Sequence, residues 1–441
     1  MYYCVPKGIV MNIKKINIKD NIDLCMIKTE KFKMSRLSIS FITEADKTLS
    51  PMRKLMFSTI MRGSKKYPTV AIINRELDEL YGSTVVYKRS TDGDRHIFTF
   101  VCEMLDEKYV YKNDNVNILG GTLEILKDIL ENPICDDDGL ISADFVESEK
   151  RLACDAIKAR ENDQRSYSAS KCKRLMFEGQ KCGYSIRGDE EIINSITREE
   201  LTRCHKEIFS DSKIHCFYIG SKSEEEICDS LKYLFSSIDS SGNIEGGYTP
   251  FISDRECAYH EETKPVSQGR LNIGMRVGTV MGDDDYYATS IFNEIFGGSS
   301  ISKLFMNVRE KKSLCYYCSS VYMISKGVIF VACGIKSQNK DAAYDEIMRQ
   351  LDEMKKGNFT DADITTAKKQ LYNALKQVND SPSGLESYYY RRNMANIPYT
   401  PEESIKLIEK VTKEDIIRVA EKVFVDTVYF LCGTEEEECD E

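Results

Sequence analysis

Apolar and polar positions change period several times along this chain, and each change marks an element. Residues 80–102 open with Leu80-Tyr81-Gly82, continue through an alternating stretch to the turn Asp92-Gly93-Asp94, and then place Phe98, Phe100 and Cys102 on alternate positions. An Asp-Gly turn between alternating segments predicts a hairpin. A second hairpin is predicted where Leu314-Cys315-Tyr316 leads through a strand to a turn at Lys326-Gly327 and on to residues 329–333. A helical period takes over at Met52, Leu55, Met56, Thr59 and Ile60, which form one apolar face. Ser50 is the expected N-cap of that helix, Pro51 falls in the first turn where its missing N–H costs nothing, and Gly63 closes the end.

The pattern repeats. Ile196-Thr197-Arg198-Glu199-Glu200-Leu201 recurs as Val411-Thr412-Lys413-Glu414-Asp415-Ile416, and an aromatic follows twelve residues after each Thr, Phe209 and Phe424. Thr197 with Glu200, and more weakly Thr412 with Asp415, give capping-box starts. Each helix then feeds an apolar strand that ends at a glycine, Gly220 or Gly433. The helical stretch 150–158 parallels 368–376, and the two hairpins make a third match in the same order. Each half therefore reads as an α+β unit of hairpin strands followed by helices. The N-terminal domain covers 1–235 and the C-terminal domain 249–441; the linker 236–248 carries Asp239-Ser240-Ser241-Gly242 and Gly246-Gly247.

Composition narrows the function classes. At 441 residues the chain exceeds one ordinary core, which agrees with two domains. Hydrophobic and charged shares of 41% and 30% belong to a globular protein, neither fibrous nor disordered. The stretch 9–18 is interrupted by Asn12, Lys14, Lys15 and Asn17 and so lacks a leader's apolar core. No run approaches the roughly 18–20 apolar residues that cross a bilayer. A cytoplasmic protein without a membrane partner is expected, its 16 cysteines free and mostly buried. The net charge of −10, with an acidic tail of Glu435 to Glu438, Asp440 and Glu441 serving solubility, weighs against nucleic acid as a partner. Arg391-Arg392 and Lys311-Lys312 read as solvated faces.

Metal chemistry finds little support. His96 lies on an alternating strand, His205 on a capped helix, His215 beside a buried strand and His260 in a charged loop; no two share a helical face. Cys315-x-x-Cys318 is the one redox-like or metal-like spacing. A zinc knuckle needs a second pair, and on a strand these two thiols are expected to point to opposite faces. Neither a metal nor a cofactor is expected.

Gly297-Gly298-Ser299-Ser300, followed by Ser302-Lys303-Leu304-Phe305 and by Val308-Arg309-Glu310-Lys311-Lys312-Ser313-Leu314-Cys315-Tyr316, resembles the long signature of insulinase-type, or M16, metallopeptidases. Residues 62–69 resemble the stretch after that family's zinc-binding helix, and the likeness covers nearly the whole chain. Leu77-Asp78-Glu79-Leu80-Tyr81-Gly82 resembles a bacterial branch associated with 5-aminopentanol modification of elongation factor P, whose members are encoded in pairs, one catalytic and one not. The resemblance implies two homologous domains, each a mostly antiparallel sheet with helices packed on it, arranged as a clamshell.

An active member needs His-x-x-Glu-His on one helix, two ligands and a general base, with a third ligand, a glutamate, from a later helix. By resemblance these positions fall here on Lys54, Phe57, Ser58 and Ala156; only Glu149, which resembles an accessory carboxylate, is kept. An ammonium offers no lone pair, a phenyl ring accepts no proton, and serine is a poor zinc ligand. The resemblance also implies that Arg309 and Tyr316 grip a substrate backbone; an ordinary salt bridge and sheet packing are the alternative. Gly297 and Gly298 either admit a bound peptide or simply turn the chain. The expectation is a non-catalytic homologue that pairs with a homologous zinc-bearing subunit and helps bind an extended peptide or small protein. A standalone peptide-binding or scaffold homodimer, and a peptidase with an unusual site, stay open.

Overall fold

A computed structural model describes residues 13–111, 114, 116–242, 244, 247–253 and 255–434; the acidic tail from 435 and parts of the linker lie outside them. The alternating segments form two sheets. The first holds β1 (Ile13–Lys19), β2 (Ile22–Lys28), β3 (Met34–Glu44), β4 (Thr84–Asp92), β5 (Arg95–Leu105) and β6 (Lys213–Gly220), in the order β1-β2-β6-β3-β5-β4. The second holds β7 (Ala258–Lys264), β8 (Gly269–Arg276), β9 (Cys315–Met323), β10 (Val328–Ile335) and β11 (Phe424–Gly433), in the order β7-β11-β8-β10-β9.

The repeat in sequence is a repeat in topology. Setting β1 aside, β2 pairs parallel with β6 as β7 does with β11, and the remaining pairs of both sheets run antiparallel in matching succession. Both hairpins form, β4–β5 and β9–β10. Gly327 turns the second at φ 63°, and a Cβ there would lie 2.8 Å from the backbone nitrogen of Thr279, so the turn excludes any side chain. Both capping boxes close, Thr197 with Glu200 and Thr412 with Asp415. The matching aromatics play unlike parts: Phe209 packs against the first core, whereas Phe424 is half exposed beneath the Arg276 guanidinium.

By contacts, two compact units emerge: Met1–Ile157 with Tyr184–Glu245 and Ser381–Glu386, and Lys158–Gly183 with Gly246–Asp380 and Ser387–Glu441. In the first, helices Leu49–Ile60, Ile118–Glu131 and Arg198–Asp211 cover the sheet over Phe41, Phe57, Phe98, Phe100, Leu126 and Leu201. In the second, Leu271, Ile273, Phe292, Val331, Ile347 and Val419 share a core. Each such buried side chain contributes about 1.5–3 kcal/mol. The second unit also takes in helix Gln164–Met176 from the first half of the sequence. Its Cys172 packs with Tyr429 and Leu431, and Met176 with Val328.

Several local expectations are corrected. Thr48, not Ser50, is the N-cap of the helix Leu49–Ile60. Asp46 Oδ1 takes the Leu49 amide at 2.7 Å, while Ser50 Oγ accepts from the Asp46 amide at 3.0 Å. His260 lies on β7 and His215 within β6. Arg392 is buried rather than solvated, its guanidinium 4.2 Å above the Tyr388 ring. Lys311 and Lys312, in contrast, are solvated as expected: Lys312 reaches buried Glu346 at 2.5 Å, and Lys311 Nζ donates to Asn307 Oδ1 at 3.1 Å. Among the described residues no helix is long and apolar enough to cross a membrane, and the cysteines are free thiols, most of them buried.

Candidate functional site

The helix Leu49–Ile60 docks on the first sheet through Phe57. That ring is fully buried and meets Phe41 at 5.3 Å, Phe98 and Phe100 at 5.4 Å and Tyr87 at 5.7 Å between centroids. Four aromatic partners from β3, β4 and β5 make it a packing anchor. No proton acceptor replaces it. Lys54, one turn earlier, is only 8% exposed. Burial pushes its ammonium down to about 8; Arg89 and Arg187 push the same way, while Glu149 and Cys154 pull it back.

The later helix, Ala143–Asn162, brings Glu149 into the same neighbourhood. Its carboxylate lies 3.7 Å from Arg62 Nη1, and burial raises its pKa against the pull of Arg62 and Lys54. Ala156, about two turns further, is exposed and offers a methyl group. Ser58 is half-buried. Lys54 and Arg62 thus act on the one carboxylate, and Arg89 and Arg187 act on Lys54, an excess of positive charge that repels a divalent cation. Arg89 Nε is buried with no hydrogen-bond partner among the described residues. The residues do not fit zinc. Across the described residues, no group of three or more His, Cys, Asp or Glu is placed to hold a metal ion.

Three of the four histidines are core residues. His205 Nε2 meets the Leu130 carbonyl at 2.7 Å, and burial lowers its pKa; burial brings His215 down to about 4. His96 is buried on β5, and His260 occupies β7, which ends the second sheet.

In the second unit the chain forms two short stretches of wide helix, Glu294–Gly298 and Phe305–Lys311, whose turns close on the fifth residue. Such turns are rare and cluster at functional sites. Gly297 belongs to the first. A Cβ on it would sit 2.6 Å from Ser320 Oγ and 2.8 Å from the Ser320 nitrogen, so its bareness serves helix-to-strand packing. A Cβ on Gly298 would crowd Asn293 Nδ2 at 2.9 Å. Arg309 rides on the second wide turn, its guanidinium 4.6 Å from the Phe305 ring and its Nε 3.6 Å from Glu310. It is half exposed, as is Tyr316 on β9.

Tyr316 owes its placement to a β-bulge. Gly334 pairs with Tyr317 and Ile335 with Cys315, leaving Tyr316 as the extra residue at the sheet's last strand. Sequence reasoning found Lys54, Phe57, Arg309 and Tyr316 but not Arg89 or Arg187, which only the fold brings to Lys54, nor the pairing of Arg62 with Glu149. It also missed a cavity of about 250 Å³ between the wide helices and helix Asp361–Gln377, lined by Glu294, Lys303, Asn307, Lys311, Asp363 and Gln370.

Known proteins resemble the chain over most of its length. The family model described as "Peptidase M16 inactive domain" matches residues 195–371. The probable inactive metalloprotease YmfF of Bacillus subtilis (strain 168) is 33% identical over 412 residues, 93% of this chain and 95% of that protein. An uncharacterized zinc protease of the same organism, YmxG, is 22% identical over 307 residues, 69% of this chain and 72% of its own. Among solved structures, a conserved protein from Enterococcus faecalis V583 superposes with a TM-score of 0.90 at 26% identity, covering 97% of this chain and 100% of that one. A peptidase M16 inactive domain from Pseudomonas fluorescens shares the fold, with a TM-score of 0.78 at 15% identity over 97% and 100% of the two chains.

Proposed function

This chain belongs to the M16 peptidase family as an inactive homologue, and we propose that it acts as the non-catalytic member of a pair. Its partner is a homologous subunit that supplies the zinc site, and its own task is to help hold an extended peptide. The observation that carries this reading is the state of the Lys54 site. A buried phenyl ring stands where a base is needed, and cations surround the place a metal would take. Hydrolysis with zinc then has to be done by another chain.

Arg309 and Tyr316 supply the peptide-binding half of the proposal. Both are half exposed, and a guanidinium and a phenol donate well to peptide carbonyls. Strands β4 and β9 each end a sheet, and an extended peptide can add to such an edge through its main chain. We place the pair in the cytoplasm, where the free thiols of this chain would stay reduced.

The test is reconstitution with a homologue from the same genome that carries His-x-x-Glu-His. Cleavage of a quenched fluorescent peptide is expected only from the mixture. Arg309→Ala is expected to lower kcat/KM of the pair about ten-fold without dissociating it, the scale of one lost charged hydrogen bond. Full activity of the zinc-bearing chain by itself would sink the proposal, as would cleavage by this chain unaccompanied. Peptide binding by a homodimer that ignores the zinc-bearing chain would favour the standalone reading.

A further inference from the structure

Three thiols lie together in the second unit and have no part in the function above. Cys315 and Cys318 are on β9, and Cys333 on β10 faces Cys318 directly across the ladder. A regular strand would send positions 315 and 318 to opposite faces, as the sequence reading expected. The bulge at Tyr316 corrects that. Cys315 pairs with Ile335, which shares a face with Cys333 two residues away, so the extra residue returns Cys315 to the side of Cys318. Cys318 and Cys333 are buried at 2% and 0% exposure, whereas Cys315 is half-buried.

The three thiols act on one another. Interaction with Cys318, then with Cys333, holds the Cys315 thiol well below its ordinary value; burial opposes this and Arg309 assists. Contact with Cys315, helped by burial, pushes Cys318 and Cys333 well above theirs. A half-buried thiol with a lowered pKa beside two buried thiols is the arrangement of a reactive cysteine with resolving partners.

We propose that Cys315, Cys318 and Cys333 form a thiol redox site, in which Cys315 is oxidised by a hydroperoxide and closes a disulfide to Cys318. The Cys315 thiolate attacks the O–O bond of the peroxide. Its sulfur is oxidised to the sulfenic acid, and the departing oxygen takes a proton and leaves as water or an alcohol. The Cys318 sulfur then attacks the sulfenic sulfur. An S–S bond forms, the S–O bond breaks, and the Cys318 proton leaves with the hydroxyl as water. The bridge encloses the bulge that carries Tyr316.

The whole chain, reduced and then treated with hydrogen peroxide, is alkylated, digested and mapped by mass spectrometry. A Cys315–Cys318 disulfide is expected, reversed by dithiothreitol. Iodoacetamide at neutral pH is expected to label Cys315 about ten-fold faster than the exposed Cys135, a measurement that needs no variant. In Cys318→Ser, dimedone should trap the Cys315 sulfenic acid. Equal labelling of Cys315 and Cys135, or disulfides confined to other cysteines, would overturn the proposal. A Cys315–Cys333 bridge in the unaltered chain would overturn the assignment of Cys318 as the resolving thiol.

Discussion

Lys54 is a charged group in a place that disfavours charge, and its cost should be visible as pH dependence. Its folded value of about 8 lies below the ordinary lysine value of 10.5. Between the two, the unfolded chain holds a proton that the folded chain has released, so stability rises with pH across that window. Below pH 8 the whole penalty is present, on the order of 3 kcal/mol for a side chain this buried. Lys54→Met is therefore expected to raise the urea midpoint at pH 7 and to lose most of that advantage by pH 10; equal midpoints at pH 7 would refute the account. That Lys54 and Phe57 cannot serve a zinc ion was legible in the sequence, because ligation depends on side-chain type. The depressed pKa was not legible, since the burial of Lys54 and its approach to Arg89 and Arg187 come only with the fold. Ser50 was misread as the cap for a similar reason: Asp46, four residues earlier, accepts the Thr48 and Leu49 amides.

At the scale of elements, the hairpins and capping boxes announced themselves because their signals are local: a glycine turn between alternating segments, a threonine three residues before an acid. Gly327 illustrates how firmly such a turn is fixed. Gly327→Ala would force a left-handed conformation, costing about 1–2 kcal/mol, and would also press a methyl against the Thr279 backbone. A melting point lowered by several degrees is expected, and an unchanged one would mean that the turn rearranges freely. Irregularities escaped prediction. No residue type announces the bulge at Tyr316, which arises from the pairing of β9 with β10, and it alone reverses the side to which Cys315 points. The wide turns that carry Gly297 and Arg309 are likewise a product of packing against β9.

At the scale of the molecule, the internal duplication could be read from three matched blocks, and the sheets repeat it in five strands each, β1 being extra. Which half each helix serves could not be read, because helix Gln164–Met176 precedes the linker in sequence yet packs with β8 and β11. Residues 249–441 expressed alone would leave Phe330, Tyr429 and Leu431 without that cover. They are expected to aggregate, and to stay dispersed when residues 158–183 are restored; a well-behaved monomer of 249–441 by sedimentation would contradict this. The strand that ends the second sheet raises a related matter of colloidal behaviour. The nine residues of β9 contain no charge, proline or glycine, and Val321 is 66% exposed. Such a border lacks the gatekeepers that usually keep sheets from zipping together. Kept at high concentration without a companion, the chain should clump through this border, and Val321→Lys should suppress the rise in light scattering.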